Sequence, residues 1–340
     1  MSNRFSHIDF LRAVCILGFI VIHVFSYTLS SSFNNFVWNW LHFVVGGFVF
    51  CSGYVISKYQ KTILVKKNVV SFYKKRLVRL LVPYYIYLFI HTLLLFVFPQ
   101  YFSGIGITRS MASIISSALF LEGGTNFSWL PLLFVELTIL FPFIAYIFGS
   151  KKLKFTYTFL ALLVTFYFSV VVFPYNLYRL VMWIPWSLLF LAGMWFYKKD
   201  TSASSVQVKK NSIFPYVITT VFSWSIFFVI FQTWILFHKK LNIIDNKYPP
   251  NLYDLSYETF GTFFLLSISS FKLFNLKKVQ SIFRFLSEQS YSIFFIHIIL
   301  LDFILHFKLN VYVQLLFVLI LSIVISGLGS GLKLANQKQK

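Results

Sequence analysis

Arg12 and His23 stand eleven residues apart in the apolar run 9–29. Eleven residues is close to three helical turns, so on a helix the two side chains share one face, about 16 Å apart along the axis. Asp9 precedes Arg12 by three residues and falls on nearly the same stripe. Ionisable groups inside a membrane are costly, and each is a functional candidate by default. An imidazole can draw a proton from a hydroxyl, and a guanidinium can hold an anion. Plainer readings stand beside these: Arg12 as a snorkelling anchor paired with Asp9, and His23 as a buried histidine bonded to a neighbouring helix.

Three more groups carry possible chemistry. Arg76 and Arg79 close the most basic stretch, 58–80, on adjacent turns before Pro83. Their guanidinium forks suit phosphate, and their charge also suits a marker of the cytoplasmic side. Glu136 follows Trp129 by seven residues in a second apolar run. That spacing sets it about 10 Å below the outer boundary, a depth that His23 also reaches from the other side. If the helices pack together, His23 and Glu136 share one cavity, where a carboxylate can orient an imidazole base. A protonated carboxyl bonded to a backbone carbonyl is the other reading of Glu136. A later run holds Ser290, His297 and Asp302. His297 is expected deeper, toward the cytoplasmic half, as either a structural hydrogen-bonding group or a second site. Glu258, His42 and His91 read as structural or pathway residues.

Other chemistries lack their patterns. There is no His/Cys cluster with metal spacing, no P-loop and no dinucleotide fingerprint. Ser52-Gly53 lacks the surroundings of a nucleophile elbow. Without a covalent nucleophile, any group transfer is expected to be direct.

The elements that must position these residues are membrane helices. The chain has 340 residues, 58% hydrophobic and only 11% charged, whereas soluble domains carry about 25% charged residues. The 45 phenylalanines suit lipid-facing surfaces. Apolar runs near the 20-residue length of a span predict an all-α polytopic fold of about ten transmembrane helices. They fall at 9–29, 36–57, 81–98, 129–148, 155–173, 180–197, 213–237, 252–271, 289–306 and 311–332. A shorter amphipathic stretch, 109–121, is expected at the surface. No repeat is visible, so 1–340 reads as one transmembrane domain without an appended soluble one.

The net charge of +21 would suggest nucleic acid in a soluble protein. Here the basic residues lie in alternate loops: Arg4; Lys58 to Arg79; Lys151, Lys152 and Lys154; Lys198 to Lys210; Lys272 to Arg284; and Lys333, Lys338 and Lys340. The intervening loops hold only Arg109, Arg179, Lys239, Lys240, Lys247 and Lys308. By the positive-inside rule both termini are cytoplasmic, and no nucleic-acid role is expected. Cys15 and Cys51 sit inside apolar runs and imply neither disulfide nor metal. Residues 1–7 lead straight into a full-length span, so no cleavable signal is expected.

The ordered set of motifs resembles the acyltransferase-3 family of bacterial membrane acyltransferases. It comprises Ile8-Asp-Phe-Leu-Arg12-Ala with His23, Phe50-Cys-Ser-Gly53-Tyr-Val-Ile, and Phe72-Tyr-Lys-Lys-Arg76-Leu-Val-Arg79-Leu-Leu-Val-Pro83. Trp129-Leu through Glu136, Leu191-Ala-Gly193-Met, and Ser290-Tyr-Ser through His297 complete it. The chain departs from the pattern at Pro131, where an aromatic is commoner. The resemblance implies acyl transfer, acetyl first, from acyl-CoA to a hydroxyl of a surface polysaccharide, wall polymer or lipid-linked sugar. It makes Arg12 and His23 the signature pair and Arg76 and Arg79 donor-binding residues. Acetyl-CoA would be a substrate, with no permanently bound cofactor, and the site would lie in the plasma membrane. The competing reading is a transporter of a polysaccharide or lipid-linked sugar that performs no chemistry.

Overall fold

The computed structural model describes residues 6–60, 63, 69–102, 105, 107–203 and 214–338. The long helices are α1 (Ser6–Phe25), α2 (Ser32–Leu41), α3 (Val44–Ile56), α4 (Val69–Val97), a short α5 (Met111–Ala118), α6 (Trp129–Gly149), α7 (Lys151–Val170), α8 (Trp183–Ala203), α9 (Phe214–Leu236), α10 (Leu252–Ile268), α11 (Lys277–Leu305) and α12 (Val311–Lys338). Among the described residues, nine helical stretches are long and apolar enough to cross a membrane, with α2 and α3 counted as one. The remaining expected span, 252–271, is the 17-residue α10, at the lower limit of spanning length. The protein is an all-α polytopic membrane protein. Of the basic residues used to orient it, Arg4, Lys61, Lys66, Lys67, Lys209, Lys210 and Lys340 lie outside the described residues.

The helices sort by what surrounds them. In α1 and α3 most residues are buried, because both stand at the centre of the bundle. On α4, α7 and α9 large apolar side chains face outward, among them Phe89, Phe155 and Phe222. An apolar surface of this kind is stable against lipid and would not be against water. The central pairings are α1 against α11 and α3 against α8.

The α3–α8 crossing explains two glycines. A Cβ on Gly53 would overlap the Phe190 carbonyl oxygen, and one on Gly193 would overlap that of Phe50. Each glycine therefore admits the other helix's backbone. Without a hydrophobic driving force between helices in lipid, such close packing is a main source of association.

Two boundaries differ from the sequence expectation. Residues 69–80 are not loop but the first turns of α4, which continues through Pro83. Proline is tolerated inside membrane helices, where neighbours can satisfy the carbonyl it frees; it does not mark a start here. Arg76 and Arg79 are therefore helical. The run 36–57 is interrupted at His42 and Phe43, between α2 and α3. The buried Lys247 donates to the His42 carbonyl oxygen at 3.1 Å, supporting the break.

Candidate active site

The packing of α1 on α11 brings His23 against His297. Their Nδ1 and Nε2 atoms lie 2.8 Å apart. His297 is fully buried, and its Nδ1 is 3.2 Å from the Ile293 carbonyl oxygen. A carbonyl only accepts, so Nδ1 of His297 carries a hydrogen. A neutral imidazole holds one such hydrogen, so Nε2 of His297 accepts from Nδ1–H of His23. Nε2 of His23 is then left with its lone pair, the form a general base needs. Phe127 packs edge-on to the His23 ring at 4.9 Å between centroids. His23 itself is half-buried.

At the other end of α1, Arg12 lines a cavity of about 70 Å³ with Arg76 and Arg79 of α4. Phe48, Cys51, Ser52, Val55, Phe134 and Tyr291 form most of the remaining wall. Tyr291 donates to the Leu80 carbonyl oxygen at 2.9 Å, which ties α11 to α4 beside the cavity. Arg79 is exposed, Arg76 half-buried, and Nε of Arg76 is buried with no hydrogen-bond partner. Three guanidinium groups on one cavity repel one another and attract a polyanion.

Aromatic rings join the two ends. The Arg12 guanidinium sits 5.8 Å from the Phe48 ring centre. Phe48 lies 5.4 Å from Phe19, and Phe19 lies 6.0 Å from His23 and 5.5 Å from Phe294. The space between guanidinium and imidazole is thus walled by apolar surface.

Glu136 does not join His23. The hydrogen-bond partner of His23 is His297, and Glu136 stands at the depth of the arginines. Helices α4 and α6 run antiparallel: Tyr73 donates to the Ile139 carbonyl oxygen at 2.8 Å, while Phe134 lines the cavity of Arg76 and Arg79. Glu136 falls between those two points on α6. The sequence estimate took Trp129 as the membrane boundary. In the structure the segment before it folds back into the protein, so that Thr125 and Ser128 are fully buried. Phe127 already touches His23, and nine further residues carry Glu136 about 13 Å away. Its Oε2 is buried without a hydrogen-bond partner. The expected depth of His297 is corrected on the same ground, since its ring lies beside His23.

Arg179 holds that inward segment. Its Nη1 donates to the carbonyl oxygens of Phe120 (2.8 Å) and Leu121 (2.9 Å) and to Ser128 Oγ (2.9 Å). Irregular backbone at membrane depth survives only when protein satisfies it, and Arg179 does so here. In the sequence it read as a loop charge. Ser290 bonds within its own helix, to the Ser287 carbonyl at 3.0 Å. Asp302 pairs with His91 across α11 and α4 at 2.8 Å, both side chains fully buried, with Tyr87 completing the chain at 3.2 Å. Among the described residues no group of three or more His, Cys, Asp or Glu could hold a metal ion.

A polytopic helical bundle with a base-like histidine near one end and clustered arginines at the other has the parts of a membrane enzyme that takes an anionic donor. The family model described as acyltransferase domain matches residues 5–330, and the chain belongs to that acyltransferase-3 family. It is a membrane acyltransferase, transferring groups other than aminoacyl groups. No curated protein and no solved structure matches the chain.

Proposed function

We propose that the protein moves an acyl group, acetyl first, from acyl-CoA to a hydroxyl of a cell-envelope carbohydrate in the plasma membrane. The observation that carries this reading is that α1 bears Arg12 in the arginine cavity and, about three turns on, His23 with its free Nε2. Coenzyme A is a polyanion on a long flexible arm. Its phosphates would rest against Arg76 and Arg79 at the cytoplasmic face, with the arm passing Arg12 along the Phe48–Phe19 wall. The thioester then arrives near His23. There Nε2 takes the proton of the acceptor hydroxyl as the oxygen attacks the acyl carbon, and the sulfur leaves. The His23 ring would be held in the required tautomer by His297. Acyl-CoA is consumed as a substrate, and no resident cofactor takes part. Both termini are cytoplasmic on this account, in keeping with the distribution of Lys and Arg.

Purified protein in vesicles, given acetyl-CoA and an envelope carbohydrate extract, should release free CoA thiol in step with label appearing on the carbohydrate. Label on an amine, or none on carbohydrate while CoA is released, would overturn the acceptor assignment.

A further inference from the structure

An open groove of about 780 Å³ lies at the far end of α1 from the arginine cavity. Helix α2, the turn after α1 at Leu29, and the connection that follows α9 form its walls. Its volume falls in the range of small-molecule sites. Trp38 and Trp40 supply aromatic surface, and Asn35, Asn39 and Asn242 supply amides. Among the described residues, no side chain lining the groove is charged.

Polar atoms there are left over for a ligand. Asn39 Nδ2 donates to the Asn35 carbonyl oxygen at 2.9 Å and to Asn35 Oδ1 at 2.8 Å. Asn39 Oδ1 and Asn35 Nδ2 remain. Asn242 Oδ1 accepts from the Ile244 N–H at 3.0 Å, which leaves its Nδ2. Trp38 is 9% exposed, and its Nε1 is buried without a hydrogen-bond partner. A buried donor without an acceptor is costly, and a ligand oxygen in the groove would remove that cost. Trp40 is exposed, and Tyr257 anchors it by donating to its carbonyl oxygen.

The groove reaches the depth of His23. A Cβ on Gly47 would meet Cys15 Sγ, and one on Gly18 would meet Val44 Cγ1 at 2.7 Å, so α3 runs antiparallel to α1. His23 lies five residues beyond Gly18, about 7.5 Å of rise, and Trp38 lies six residues before Val44, about 9 Å. The His42 ring packs edge-on to Trp38 at 4.3 Å between centroids, and its Nδ1 donates to the Trp38 carbonyl oxygen at 2.6 Å. His42 in turn is near enough to His23 to act on its charge.

A sugar ring carries C–H bonds on its faces and hydroxyls around its rim. Aromatic rings suit the faces, and amides, which both donate and accept, suit the hydroxyls. A charged sugar would leave water here without meeting a counter-charge. A lipid chain would leave Trp38 Nε1 and the amides unsatisfied. We propose that this groove holds the acceptor as a neutral carbohydrate, with a ring face against Trp40 and hydroxyls on Trp38 Nε1, Asn35 and Asn39. That the bound sugar is the acceptor rests on the reaction proposed above, whereas sugar binding itself does not.

The test uses the full-length protein in lipid nanodiscs without any acyl donor. Equilibrium binding is measured for neutral hexose and N-acetylhexosamine oligosaccharides and for uronic acid oligosaccharides of equal length. The neutral set should bind and the uronic set should bind more weakly. Trp38→Phe keeps a ring but removes the donor, and Asn39→Ala removes one amide. Each should weaken neutral-sugar binding by about two- to tenfold, the loss of one hydrogen bond, and Trp40→Ala should weaken it most. If Trp38→Phe does not fold, Asn39→Ala and Trp40→Ala decide. Tighter binding of the uronic set, no binding of either set, or unchanged affinity in the variants would overturn the proposal. So would quenching of Trp40 by brominated-chain lipid, read as the difference from Trp40→Phe, that neutral sugars do not relieve. Where transfer to carbohydrate is measured, an unchanged acceptor KM in these variants would remove the groove and leave the reaction. Sugar binding without any transfer would remove the reaction and leave the sugar site.

Discussion

The two ends of α1 solve opposite problems. At Arg12 the protein gathers three guanidinium groups around a cavity, one of them exposed, where like charges repel until an anion arrives. At His23 it provides a second imidazole at hydrogen-bond distance and surrounds the pair with phenylalanine rings. The first arrangement is tuned for attraction and the second for orientation. Arginines on a cavity wall can bind from several positions. A base must present one nitrogen in one tautomer, so it needs a partner on another helix.

This contrast yields a ranked set of expectations. The largest effect belongs to His23. His23→Gln cannot take up the proton and should lower transfer by about 10²–10⁴-fold, with CoA binding by calorimetry unchanged. Near-normal turnover would remove His23 from the chemistry.

Next comes the arginine end. Arg76→Ala with Arg79→Ala removes two charge-assisted contacts, each worth roughly 1.5–3 kcal/mol where fully formed. CoA affinity should fall by about tenfold or more, while turnover at saturating donor should change little. Unchanged affinity would mean that these residues serve topology alone.

His297 separates positioning from support. His297→Phe keeps a ring in the α1–α11 contact but offers no acceptor, and should slow transfer by roughly 10–100-fold, a range set by analogy with the loss of partners that orient a histidine. His297→Gln supplies an amide oxygen to His23 Nδ1 and should recover much of that loss. If both variants lose only folded protein and keep full turnover per folded molecule, His297 is structural. The smallest effect is expected for Glu136→Gln, since its backbone position is nine residues, about 13 Å of helix rise, beyond Phe127, the residue that packs on His23. A loss comparable to that of His23→Gln would show that the two groups act together.

Much of the fold was legible because membrane spans announce themselves by length, and Lys and Arg by their loops. Arg12 and His23 were legible for a similar reason, as helical periodicity fixes which residues share a face. What periodicity cannot give is which helix stands opposite. His23 needed α11, whereas the sequence pointed to Glu136 as its neighbour and set His297 deeper. The depth estimate for Glu136 counts from Trp129, whereas Phe127, two residues earlier, is the residue of that segment that packs on His23. The inward fold of the segment before it depends on Arg179, whose three hydrogen bonds join residues some 50 to 60 positions away.

The central claim is that one helix carries separate binding and chemical ends. Steady-state transfer across a donor titration tests it most directly, with His23→Gln and the Arg76→Ala/Arg79→Ala double variant measured side by side per folded molecule. The account predicts a crossed pattern. His23→Gln should lose kcat with KM for acyl-CoA nearly unchanged, and the double arginine variant should raise KM by about tenfold or more with kcat largely kept. Equal losses of kcat and KM in both variants, or a raised KM in His23→Gln with normal kcat, would contradict it.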